Sequence, residues 1–241
     1  MDTLRVAELV GVGLAAGVVN TVAGAGSLIV LPALMLMGMP AHAANATNRV
    51  GVVAQAIAGT WTFHGRGAGA RLDVVEWAPA VAGGIAGAAL SLVVSDAHLE
   101  RVIAAVILLV LPTLWAPPVA AGRWSDPVRA AAGFAVGCYG GFLQAGVGFL
   151  LLAVQVRGSG RDLAASTAGK VLLTGVFNVP ALVVFSVGGA VDWAAGAVLA
   201  VGGAVGAWAG AHLTLRLGAA WIRAAVAVAA VGLVGALLTS P

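Results

Sequence analysis

The chain has 241 residues, of which 61% are hydrophobic and only 9% charged, with a mean hydropathy of +1.05. A soluble domain carries charge on about a quarter of its residues, so a water-exposed globule is excluded and lipid must cover much of the surface. Twelve basic residues against nine acids give a net charge of +3, but the arginines are scattered through short loops. That spacing excludes a nucleic-acid face and suits residues that orient a membrane protein.

Apolar segments, separated by polar, Pro and Gly sites, run over 5–20, 27–39, 43–63, 76–95, 98–115, 128–143, 147–157, 162–187, 191–213 and 218–239. Crossing a bilayer takes about 20 helical residues, so 27–39 and 147–157 are too short to span alone. Segments 5–20 and 128–143 are marginal and end in glycine-rich breaks, Gly24-Ala25-Gly26 and Gly140-Gly141 through Gly146-Val147-Gly148. No cleavable leader is expected, because Asp2 and Glu8 interrupt the start. Most of the 35 glycines sit in apolar runs with Ala and Ser, the composition of closely packed helices in lipid. The one cysteine, Cys138, excludes an internal disulfide and any Cys-based metal motif and reads as a small core residue.

The segments repeat with a period near 120 residues. Gly24-Ala25-Gly26-Ser27-Leu28-Ile29 is echoed by Gly146-Val147-Gly148-Phe149-Leu150-Leu151, and Ala44-Asn45-Ala46-Thr47 by Ala164-Ala165-Ser166-Thr167. The stretch from Leu72-Asp73 to Ala88 is echoed by Val191-Asp192 to Ala207. Residues 1–116 and 128–241 therefore read as two membrane repeats. A linker over 117–127 joins them, with Pro117, Pro118 and Pro127 blocking a continuous helix. If each broken pair turns back as a re-entrant hairpin, Arg66, Arg71, Arg123, Arg129, Arg157, Arg161 and Arg216 share one face. Arg5 and Arg101 fall on the other. The positive-inside rule makes the crowded face cytoplasmic. Each half then crosses three times, an odd number, so the halves are inverted and both termini lie outside. The expected fold is an all-α polytopic bundle with two inverted repeats and broken or re-entrant helices.

Two basic residues stand apart from the loop set: Arg49, near the start of a long apolar helix, and Lys170 at the matching place in the second half. Lys170 lies nine residues beyond Arg161, about 13 Å of helix. A cation at depth costs about 2.5–3.5 kcal/mol on insertion scales. The bland account is that both snorkel to headgroups or cap carbonyls of a neighbouring re-entrant segment. The functional account is an anion site, since Asp2, Glu8, Asp73, Glu76, Asp96, Glu100, Asp126, Asp162 and Asp192 all fall in or beside loops. Helices beginning near Ser27 and Phe149 would add positive dipole ends, and matching discontinuous helices point to a midplane site. Asn20, Thr21, Thr47, Asn48, Gln55, Gln144, Thr167, Thr174 and Asn178 supply polar groups around them. Singly, each is better explained by helix–helix hydrogen bonding; as a set they suit an oxyanion, which needs several donors. His42, His64, His98 and His212 lack metal-ligand spacing, and most of the tryptophans flank segments as interfacial residues. Neither a nucleotide loop nor a catalytic triad or carboxylate pair is present, so no enzyme activity and no cofactor are expected.

Gly17-Val18-Val19-Asn20-Thr21-Val22-Ala23-Gly24-Ala25-Gly26-Ser27, then Leu31-Pro32-Ala33-Leu34, then Ala44-Asn45-Ala46-Thr47-Asn48 resembles the TauE/SafE family of sulfite exporters over nearly the whole chain. The resemblance implies a multi-pass bacterial inner-membrane protein that exports sulfite, a sulfonate or a related small anion, with the lipid bilayer and that anion as its partners. A homodimer is left open. The combined expectation for the substrate site is Asn20, Gly24, Gly26, Ser27, Thr47, Asn48, Arg49, Gln144, Gly146, Gly148, Thr167 and Lys170. The second half departs from the pattern: Ala153-Val154-Gln155-Val156 replaces Leu-Pro-Ala-Leu, and Ala168 stands where the first half has Asn48.

Overall fold

In the computed structural model, residues 1–110 and 122–217 are described, and they are helical apart from short connections. The elements are α1 (Thr3–Ala23), α2 (Ser27–Leu36), α3 (Ala41–Gly65), α4 (Val74–Val93), α5 (Asp96–Val110), α6 (Asp126–Phe142), α7 (Val147–Ala153, continuing as a π-turn over Val154–Gly158), α8 (Leu163–Val187) and α9 (Trp193–Leu217). The expected segment 218–239 and the linker's first residues lie outside the described residues. Among the described residues, four helices, over Thr3–Ala23, Val74–Val93, Ala165–Val187 and Trp193–Arg216, are long and apolar enough to cross a membrane.

The first helix is longer than the apolar run alone suggested. Asp2 caps its start, accepting from the Arg5 N–H at 2.8 Å, and Gly24 ends it in the left-handed region at φ 76°. These are the usual start and stop signals of a helix. Pro127 sits in the first turn of α6, where its missing N–H costs nothing.

Both short helices fold back along the helix before them. Val30 and Leu34 of α2 pack with Ala16 and Leu9 of α1, and Arg5 Nη2 donates to the Met37 carbonyl at 3.3 Å. In the second half, Val147, Leu151 and Val154 pack with Val136 of α6. The Trp124 N–H then donates to the Gly158 carbonyl at 3.0 Å, just ahead of α6. The two ends of each pair therefore lie close together.

The long helices pack along glycine seams that set their directions. A Cβ on Gly13 or Gly17 of α1 would strike the backbone of Leu199, Gly203 or Ala207, and one on Gly210 would strike Val18. So α1 and α9 run parallel. The same test pairs Gly137 with Ala80, Gly141 with Gly84 and Gly87 with Cys138 and Phe142, so α4 and α6 are parallel too. In lipid, close backbone approach of this kind takes the place of a hydrophobic drive between helices. The central pair is antiparallel: Ala46 of α3 packs with Ala181 and Phe185 of α8, while Phe63 packs with Ala168 and Val171. With Val50 against Gly196 and Ala80 against Leu173, α1, α3 and α9 point one way and α4, α6 and α8 the other. Exchanging α1, α3 and α4 for α6, α8 and α9 reproduces the same neighbours. These directions put the seven loop arginines from Arg66 to Arg216 at one end of the bundle and Arg5 and Arg101 at the other.

Candidate functional site: two hairpin tips and two buried cations

The hairpin tips meet backbone to backbone. The Gly148 N–H donates to the Gly24 carbonyl at 3.1 Å, and a Cβ on either glycine would overlap the other's backbone. Gly146 has φ 69° and Gln144 φ 68°, so the second turn makes two left-handed steps where the first makes one. Gln144 is the only non-glycine residue in that region among the described residues.

Arg49 and Lys170, 0% and 1% exposed, reach across between the halves. Arg49 Nη1 donates to the Gly140 carbonyl, to Gln144 Oε1 at 3.0 Å and to Asn178 Oδ1 at 2.9 Å. Its Nη2 donates to the Gly141 carbonyl at 2.8 Å and to Asn45 Oδ1 at 3.3 Å, and its guanidinium carbon lies 5.2 Å from the Phe185 ring centre. Lys170 Nζ donates to the Thr21 carbonyl at 2.9 Å and to the Asn20 carbonyl at 3.3 Å. Each cation from one half therefore sits on the last carbonyls of the broken helix in the other half, where orphan acceptors and the negative dipole end favour positive charge. The capping of a neighbouring segment's carbonyls, the bland account of these residues, is what both cations do here. Neither has a carboxylate, but both hold backbone oxygens. The cations also sit at different depths. Arg49 meets α8 at Asn178, eight residues from Lys170, or about 12 Å of helix.

Other predicted residues are placed as follows. Asn20 Nδ2 donates to Gln55 Oε1 at 2.8 Å, and Asn48 Nδ2 donates to Ser27 Oγ at 2.9 Å, both beside the first tip. Gly26 packs against Ala16 and Asn20 and brings α2 close to α1. Gln144 also accepts from Asn178 Nδ2 at 3.0 Å, and its own Nε2 is buried without a partner. Thr167 is buried near the start of α8. Thr47 is drawn elsewhere, its hydroxyl accepting from the Asp192 N–H at 2.9 Å at the entrance to α9. A cavity of about 10 Å³ lies beside Lys170, lined by Asn20, Thr21, Gln55, Ala56, Lys170, Val171 and Thr174. That is room for about one water molecule. No three of His, Cys, Asp and Glu gather as a metal site among the described residues.

A second polar cluster escaped the sequence reading. Glu76, in the first turn of α4, is only 2% exposed. Its carboxylate accepts from Arg129 Nη2 at 2.6 Å, from Arg161 Nη1 at 3.0 Å and from the Ser159 hydroxyl. Arg129 also pairs with Asp73 at 2.6 Å and Asp126 at 2.9 Å. The hydrogen bond from Arg129 holds the exposed Asp73 carboxyl below the usual carboxylate range. Spacing along the chain gave no signal for this, because Arg129 lies 53 residues from Glu76 and Arg161 lies 85.

Long apolar helices, two broken helices meeting tip to tip, and buried cations are features of a membrane transporter. The chain belongs to the sulfite exporter TauE/SafE family, whose model matches residues 9–238. It is 30% identical over 230 residues to the probable membrane transporter protein YfcA of Escherichia coli K12, covering 92% of this chain and 86% of that one. The YfcA proteins of E. coli O6:H1 and O157:H7 match to the same extent. No solved structure matches the chain. Its composition and relatives fit the bacterial inner membrane.

Proposed function

We propose that the protein exports a small anion, sulfite or an organosulfonate, by alternating access at the junction of two inverted repeats. The observation that carries this is the pair of fully buried cations at the meeting hairpin tips, with no carboxylate near either. Charge at this depth is costly unless it has a functional reason, and the carbonyls offset only part of a full charge. The reading treats 1–116 and 128–241 as the repeats, joined by 117–127, with α1–α2 and α6–α7 as hairpins entering from opposite faces. The antiparallel contact of α3 with α8 supports a two-fold axis in the membrane plane. The arginine-rich end is the cytoplasmic one. A cavity with room for one water is too small for an anion, so its passage requires the halves to move, as a carrier's do. All of the site lies within one chain, and a homodimer is not needed to complete it.

Reconstituted protein is expected to give saturable flux of labelled sulfite or sulfonate, with counterflow. Arg49→Gln and Lys170→Gln are each expected to abolish it. Full flux in both variants, with normal insertion, defeats the site. Flux that never saturates and shows no counterflow makes the protein an anion channel.

A further inference from the structure

We infer that the two buried cations have different tasks: Lys170 is the residue that binds the anion, and Arg49 is a positioning residue that pins the second hairpin. This rests on the anion-transport reading above and divides its site unequally.

Arg49 is saturated. Its two terminal nitrogens hold five acceptors, two of them backbone carbonyls at the end of α6, and Phe185 covers the guanidinium. An anion at the terminal nitrogens would have to break a network in which Gln144 and Asn178 are also bonded to each other. No cavity adjoins it among those described. Lys170 differs in having open space beside it. An ammonium has three donors, and two are accounted for by the Asn20 and Thr21 carbonyls.

Lys170 also lines the small internal cavity. The other polar walls favour the same class of guest. Asn20 donates to Gln55 Oε1, which leaves the Gln55 amide as a donor. Neither that amide nor the Thr21 hydroxyl donates to another described residue. With an ammonium and no carboxylate beside it, the cavity suits a compact oxyanion and repels a metal cation. A three-oxygen anion is larger than the cavity, so it enters by parting Lys170 from the first hairpin's carbonyls. Binding thus loosens the first tip while Arg49 keeps the second in place.

The test is thermal unfolding of the purified full chain with sodium sulfite, against sodium chloride at matched ionic strength. Ligand that binds the folded form raises the melting temperature by mass action. Wild type is expected to rise with sulfite. Lys170→Gln is expected to stay flat, its Kd weakened at least about tenfold, as loss of a buried charge partner demands. Arg49→Lys is expected to melt lower but to rise by the wild-type increment. A Lys170→Gln protein that rises like wild type, or a folded Arg49→Lys protein that stays flat, overturns the division of tasks and leaves the transport reading standing. A wild type that is flat with sulfite, sulfate and sulfoacetate overturns the anion reading and this inference together.

Discussion

Replacing Glu76 by Gln tests the polar cluster at the arginine-rich end. The substitution keeps the volume but removes the only charge that both Arg129 and Arg161 share. It also turns one oxygen into an N–H₂ group. Oε2 now accepts from Arg161 Nη1 at 3.0 Å and Gln155 Nε2 at 3.4 Å; an amide nitrogen there would face two donors. Removing one partner of a buried ion pair costs about 3–5 kcal/mol. Arg129 and Arg161 are 11% and 20% exposed in their side chains. Arg129 keeps Asp73 and Asp126, and the Gln155 carbonyl still accepts from Arg161. These discounts place the loss near 3 kcal/mol. On the scaling for chains of this length that is about 6–12 °C in Tm, read by thermal unfolding in detergent. Asp126→Asn serves as the control, because this partner is 69% exposed and exposed pairs contribute about 0–1 kcal/mol. The double variant Glu76→Gln, Arg161→Gln is expected to recover part of the loss. A Glu76→Gln protein melting within about 2 °C of wild type, or no further apart than the control, refutes the reasoning.

Gly24→Ala is expected to cost about 2–4 kcal/mol in the same assay. It places a side chain at φ 76°, itself worth about 1–3 kcal/mol, and drives it into the Gly148 backbone, which cannot move aside as a flexible side chain would. A change below about 1 kcal/mol shows that the tips do not touch. Gly87→Val puts a branched side chain against the Cys138 carbonyl and the Phe142 amide, and overpacking costs about 1–3 kcal/mol. Reduced Tm with intact insertion is expected, whereas the same change at Gly11, which has open space around it, leaves the Tm unaltered.

Much of the fold could be read from one chain. Hydropathy and the breaks at Gly24-Ala25-Gly26 and Gly146-Val147-Gly148 placed the described helices to within a few residues, because lipid demands long uninterrupted apolar runs. The repeat drew attention to Arg49 and Lys170, and both are buried at hairpin ends. What the chain could not display was which partner each one meets. The acceptors of Arg49 lie up to 129 residues away, and they include backbone oxygens, which have no letter of their own. Thr47 looked like its neighbour Asn48 by sequence, yet it points to Asp192, because successive residues on a helix face different ways. Glu76 was discounted for standing beside a loop, but Arg129 of α6 and Ser159 and Arg161 of the connection before α8 close over it.

The seams that join α1 to α9 and α4 to α6 have a consequence for biogenesis. Helix α1 is made well before α9, the glycine-lined partner it packs along. Until α9 is made, the glycine groove of α1 lacks the surface it packs against. Neither half expressed alone has the groove mates it needs. Co-expressed as two separate chains, however, the halves have every complementary groove required to find each other.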